Sequence, residues 1–142
     1  MIACSPELVE RSIDEFWNCS GGRHECVAYW LAMQAQPRDV VEVVHPDHTA
    51  SVLGYAVDGA WLTRFSFDLA DRGVTAVAQV HTHPGMSVDH SETDDEFVLV
   101  PSAGFLSIVV PDFARDFTSS RWGIHVLEPS GRWRRDPEAV AW

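Results

Sequence analysis

The sequence predicts an α/β fold, a mixed β-sheet flanked by helices within one domain. Three observations carry this. Short runs rich in β-branched and aromatic residues recur between turn signals. Two longer stretches repeat apolar residues at helical spacing and are bounded by capping residues. No repeat, low-complexity tract or linker breaks the 142 residues, so a single domain over 1–142 with a full hydrophobic core is expected.

Ser5-Pro6-Glu7 opens the first helix with an N-cap, a proline at the first helical position and an acid near the positive dipole end. Leu8, Val9, Ile13, Phe16 and Trp17 give its apolar stripe, and Cys19–Gly22 stops it, predicting helix over about 6–18. Glu25–Met33 reads as a strand, and Val40–Pro46 and Ala50–Val57 as two more. Asp58–Gly73 is a second helix, with Asp58 as cap and Gly73 as stop. Val74–His81 is nearly continuously apolar, as expected of a central strand covered on both faces. Ser91, with Asp94 three residues on, starts a further helix like a capping box. Phe105–Pro111 is a buried strand, and Arg121–Asp136 a terminal hairpin turning at Pro129-Ser130-Gly131.

Composition narrows the function. Hydrophobic residues are 46% and charged residues 22%, a globular balance. No apolar run approaches the ~18–20 residues of a membrane span, and the N-terminus turns acidic too early for a signal peptide, so a cytoplasmic protein without membrane contact is expected. The net charge of −11 argues against nucleic acid, where affinity comes from neutralising phosphates. It favours a neutral or basic protein partner, or a small substrate. Cys4, Cys19 and Cys26 form neither an even set nor a CxxC pair and read as reduced thiols, with Cys26 a small core residue and a cysteine-based zinc site disfavoured. All ten basic residues are arginine. GC-rich codon usage explains this, and selection against lysine as a modification site is the alternative.

The chemistry concentrates in Gln79–Phe97, which holds three histidines, two serines and five acidic residues. His81 and His83 fall on one face of a strand end, so both imidazoles reach one point. Pro84 holds His83 extended. An acidic third ligand would complete a three-ligand catalytic zinc site with one position left for water. Asp94 is the best placed carboxylate, and Asp89, Glu92 and Asp95 are rivals that spacing does not eliminate. His90 lies inside the loop and reads as a solvated side chain, with substrate contact as the alternative. His24, His45, His48 and His125 have no spacing that supports ligation. Trp122, Trp133 and Trp142 read as core and terminal packing, or as a partner surface if exposed.

His81-Thr82-His83-Pro84, six residues, Ser91, two residues, Asp94 resembles the JAMM/MPN (JAB domain) metalloprotease signature, H-x-H-P-x6-S-x2-D, at all five specified positions. Glu25 matches the family's upstream glutamate, and the likeness runs over roughly 5–110; the one departure is Cys26-Val27 where the family often has Cys-Gly. The resemblance implies a compact prokaryotic MPN/JAB-like domain with a mixed, partly barrel-like sheet. It implies one Zn2+ per chain on His81, His83 and Asp94, with Glu25 as the acid/base shuttle and Ser91 as donor to the oxyanion. The implied activity is a zinc isopeptidase cutting after the C-terminal Gly-Gly of a ubiquitin-like protein, working beside a bacterial ubiquitin-like activation or conjugation system. Trimming of a sulfur-carrier protein would use the same site. A non-catalytic MPN scaffold would usually have lost a ligand, and none is lost here. A related domain of DNA-repair-associated bacterial proteins has a similar His-x-His-Pro motif, but the acidic charge speaks against DNA.

Overall fold

The structure, a computed structural model, describes residues 1–51, 54–90, 100, 102–116 and 118–142. Ten strands and two α-helices occur among them: β1 (Ile2–Ala3), α1 (Pro6–Ser20), β2 (Val27–Met33), β3 (Gln36–Val44), β4 (His48–Ser51), β5 (Gly54–Val57), α2 (Gly59–Arg72), β6 (Val74–Thr82), β7 (Leu106–Val110), β8 (Gly123–Leu127), β9 (Trp133–Arg135) and β10 (Val140–Ala141). Eight strands form one sheet in the order β10-β1-β3-β2-β6-β7-β8-β9, while β4 and β5 pair separately. The sheet is mixed: β6–β7, β1–β3 and β1–β10 run parallel, and the other pairs are antiparallel.

Both helices use the caps their sequences offer. The Ser5 side chain accepts from the Leu8 N–H, Pro6 takes the first helical position, and Gly21 ends α1 at φ 59°. Asp58 accepts from the Trp61 N–H at 2.7 Å, and Gly73 closes α2 at φ 64°. Glycine is used there because a Cβ is disfavoured in the left-handed region.

Strand alternation divides the interior into two cores. On one face Ala28 and Trp30 of β2, with Ala78 and Val80 of β6, pack under Val9, Ile13 and Phe16 of α1. On the other, Val27, Tyr29 and Leu31 meet Phe65 of α2. β2 is thus buried on both sides from Val27 to Ala32. A polar pair threaded through the first core is matched: the Trp30 indole N–H donates to Ser12 Oγ at 2.9 Å, and that hydroxyl donates to the Leu8 carbonyl at 2.9 Å.

Two expectations need correction, and one pairing was not expected. Residues 50–57 are not one strand, because His48–Ser51 and Gly54–Val57 form the two arms of a hairpin. The strand expected from Val40 starts at Gln36, whose exposed polar residues hid it from a reading based on apolar content. The termini also pair, β1 with β10, as strands of two residues that carry no periodic signal. The tryptophans pack as expected: Trp122 is buried, Trp133 half-buried, and Trp142, 41% exposed, sets its edge on Trp30 and Trp122.

After β7 the chain makes a tight turn through Asp112, Phe113 and Ala114, all at positive φ (51°, 50° and 61°). Left-handed backbone costs roughly 1–2 kcal/mol at each non-glycine residue. Contacts around the turn offset this. Arg115 pairs with Asp112 at 2.9 Å and lies 5.6 Å from the Phe113 ring centre, Phe113 and Ala114 are buried, and the Trp17 indole donates to the Ala114 carbonyl.

Candidate metal centre

His81 sits near the end of β6 and is fully buried; His83 lies one residue past the strand and is half-buried. Their Nε2 atoms converge to 3.3 Å. Two imidazole nitrogens at ~2.0–2.1 Å from a tetrahedral cation are about 3.4 Å apart, so the pair is preset for a shared ion. The His83 Nδ1–H donates to the Ser87 carbonyl at 3.2 Å, which leaves the lone pair on Nε2, the atom facing His81. Backbone bonds clamp this end of the strand. The His83 N–H donates to the Val110 carbonyl (2.9 Å), the Phe113 N–H to the His83 carbonyl (2.8 Å), and the Asp112 N–H to the Gly85 carbonyl (2.8 Å). The strained turn therefore holds His83 from behind. Beside His81 lies the Tyr55 ring at 5.8 Å, its hydroxyl accepting from the Gln79 amide at 2.5 Å.

Glu25 lies two residues before β2 rather than within a strand, and is 7% exposed. Register still sets its side. Val27 pairs with His81, and Cys26 with Thr82 through two bonds: the Cys26 N–H donates to Thr82 Oγ1 and the Thr82 N–H to the Cys26 carbonyl. Strand alternation continued one step beyond the paired residues would set Glu25 opposite His83, on the face of Val27 and His81.

The loop from Pro84 to His90 folds back over β8. The His125 Nε2–H donates to the Val88 carbonyl at 2.8 Å, and burial holds the His125 pKa below the usual histidine value, so the ring stays a neutral donor. Gly123, two residues away on the same face, admits the loop: a Cβ there would lie 2.2 Å from the Val88 carbonyl oxygen. His90 is half-buried between His125 (4.6 Å between ring centres) and Trp133 (4.5 Å), with His81 at 6.3 Å. It is a packed ring, not the solvated one expected. Sequence reasoning also missed Tyr55, Gly123 and His125. The available signal was Gly123-x-His125, a small residue and a polar one on one face of an otherwise apolar strand.

Among the carboxylates, Asp89 is exposed and faces Arg135 at 3.6 Å. Ser91 and Asp94, with the rivals Glu92 and Asp95, lie outside the described residues.

The cysteines depart from expectation. Cys19 and Cys26 form a disulfide, and Cys4 is the free thiol, buried, its pKa pushed up to about 12 by burial. Seven residues of separation showed no motif, but Gly21 and Gly22, both at positive φ, turn the chain back from α1 and bring the two Cα atoms to 6.3 Å. His48 joins them: its Nε2 lies 3.4 Å from Cys19 Sγ.

Residues 14–124 match the family model of prokaryotic homologs of the JAB domain. This chain is a member of the prokaryotic JAB domain family. A probable metalloprotease of Sinorhizobium fredii is 35% identical over 123 residues, covering 82% of this chain and 75% of that protein. The JAB fold agrees with solved structures. A protein from Desulfitobacterium hafniense superposes with a TM-score of 0.72 at 14% identity, over 99% of this chain and 92% of its own. A JAB1/MPN domain protein from Archaeoglobus fulgidus superposes with 0.53 at 16% identity, over 94% and 93%. The expected MPN/JAB-like architecture, a curled mixed sheet with two helices, is therefore the fold of this JAB chain.

Proposed function

We propose that this JAB protein is a zinc-dependent peptidase that hydrolyses the bond after the C-terminal Gly-Gly of a ubiquitin-like protein, in deconjugation or in precursor processing. The observation that carries the reading is the convergence of the His81 and His83 Nε2 atoms to 3.3 Å at a clamped, largely buried strand end. Membership of the JAB family and likeness to a probable metalloprotease support it.

In this reading His81, His83 and Asp94 hold the metal. A zinc ion there supplies Lewis acidity, lowering the pKa of a water toward ~7 and polarising the scissile carbonyl. Glu25 takes a proton from the attacking water and returns it to the leaving amine, a task suited to a shielded carboxylate on the histidine face. Ser91 donates to the developing oxyanion; loss of such a donor costs about 10²–10³ in rate. The Gly-rich tail of the substrate is narrow enough to reach the histidines as an added strand, and the net charge of −11 suits a neutral or basic carrier protein.

The test is intact-mass analysis of ubiquitin-like and sulfur-carrier proteins bearing C-terminal extensions, each incubated with zinc-loaded protein and with Glu25→Ala. Cleavage after Gly-Gly by the parent and not by the variant is the expected result, and the substrate cut separates deconjugation from sulfur-carrier trimming. No cleavage of any member by a zinc-loaded sample would overturn the assignment.

A further inference from the structure

Across the sheet from His81 and His83, on the α1 side, lies a second group of metal-ligating side chains. Cys19 comes from the last turn of α1, Cys26 from the run entering β2, and His48 from the start of β4. One ligand atom from each lies within 4.8 Å of the others. Cys19 and His48 border an open cavity of about 460 Å3, shared with His24, His45 and Asp47, and Cys26 is fully buried behind them.

We propose that Cys19, Cys26 and His48 form a second metal site, open to a thiophilic divalent cation such as Zn2+ when the cysteines are reduced and closed when they are joined. His48 is already oriented as a ligand. Its Nδ1–H donates to the Pro46 carbonyl at 3.0 Å, fixing the tautomer and turning the Nε2 lone pair toward Cys19 Sγ. The His45 ring stands edge-on to it at 4.8 Å, and is itself held by a 2.8 Å bond to the Val27 carbonyl. A thiolate sulfur at ~2.3 Å and an imidazole nitrogen at ~2.0–2.1 Å from a tetrahedral cation are about 3.6 Å apart. The Cys19–His48 separation is 3.4 Å. Two thiolates on the same ion stand about 3.8 Å apart, within reach of side chains whose Cα atoms are 6.3 Å apart. His24 is the candidate for the fourth position. It lines the same cavity, and its buried Nδ1 meets no hydrogen-bonding partner among the described residues.

The exchange balances without an unnamed reagent. A dithiol reductant attacks Cys19, the more accessible sulfur, to give a mixed disulfide and release the Cys26 thiolate. Its second thiol then displaces Cys19, so the protein disulfide breaks, the reductant's own disulfide forms, and two electrons and two protons pass to the cysteines. Binding the cation returns those protons to solvent. A disulfide oxidant reverses the sequence and expels the ion. In either state α1 stays fastened to the entry of β2; the metal state also takes in β4.

Cobalt(II) titration of the whole protein reads this directly, because thiolate ligands give a near-ultraviolet charge-transfer band that a histidine–carboxylate site lacks. The band is expected in the dithiol-reduced protein at one equivalent and absent from the oxidised protein. It should persist in reduced His83→Ala, where the proposed catalytic site is disabled, so failure here is separable from failure of the peptidase reading. Cys19→Ser should weaken the band, Cys19→Ser with Cys26→Ser should abolish it, and His48→Ala should weaken cobalt affinity at least about tenfold. Absence of the band from reduced parent protein would overturn the proposal without any variant needing to fold. So would a band that survives removal of both Cys19 and Cys26, or unchanged affinity in His48→Ala.

Discussion

Gly123→Ala tests whether β8 holds the loop that carries His83. The added methyl would meet the Val88 carbonyl oxygen at 2.2 Å and Val88 Cβ at 2.7 Å, well inside the ~3.5 Å of ordinary contact. The nearest obstacle is backbone, so rotating a side chain does not relieve it and the loop must lift by about 1 Å. Overpacking of this kind costs about 1–3 kcal/mol. Lifting Val88 also stretches its 2.8 Å bond from His125, adding about 1 kcal/mol. For 142 residues, 1 kcal/mol corresponds to about 3 °C, so the melting temperature should fall by about 6–12 °C. Metal affinity should fall with it, since the Val88 end of the loop also sets Ser87, the partner of His83. The assay is thermal unfolding and metal competition, with Gly59→Ala as control. Gly59 begins α2, and a methyl added there would meet nothing within 4 Å, so that change should be neutral or stabilising by up to about 1 kcal/mol. Melting of Gly123→Ala within about 2 °C of the parent, with unchanged metal affinity, would refute the idea that β8 supports the loop.

Other outcomes follow from the same contacts. Ser12→Ala should cost about 1–3 kcal/mol in urea unfolding, because the Trp30 indole N–H loses its acceptor inside the core; a change below about 0.5 kcal/mol would mean that the indole finds another partner. His83→Ala should lose the catalytic metal, measured by competition with a chromogenic chelator, whereas Glu25→Gln should keep it and lose turnover; full activity in Glu25→Gln would remove that residue from the chemistry. Burial lowers the pKa of both His48 and His125, so the folded protein binds fewer protons than the unfolded chain just below the ordinary histidine pKa. Their contribution is complete above ~6.5 and is lost as pH falls below it. Parent protein should lose more stability between pH 7 and 5 than His48→Gln/His125→Gln, and equal slopes in chemical unfolding would contradict this.

Where periodicity and capping agreed, the sequence was sufficient. α2 runs between Asp58 and Gly73 as their chemistry requires, and β6 is the apolar central strand that Val74–His81 suggested. The histidine pair was legible because strand alternation is local: residues two apart share a face whatever the tertiary fold. What depended on distant chain was not legible. Cys19 meets Cys26 only because two glycines reverse the chain between helix and strand, and His48 arrives there from the following hairpin. His90 looked solvated because its neighbours in sequence are polar, whereas its ring partners come from residues 125 and 133. Gln36–Asp39 pairs with β2 and β1 while its side chains stay exposed, so backbone hydrogen bonding defines a strand that side-chain polarity conceals.

The turn at 112–114 constrains how this sequence can drift. Glycine is the residue its dihedral angles favour at each of the three positions, yet the chain spends none there. A glycine at Asp112 would relax the backbone while freeing Arg115 from its carboxylate; at Phe113 it would empty a buried ring site, a larger loss than the relief. At Ala114, where only a methyl would be given up, the exchange is nearly even. Relatives that keep the His83 clamp should therefore vary most readily to glycine at position 114 and least readily at 113, a pattern set by packing behind the histidines rather than by the reaction in front of them.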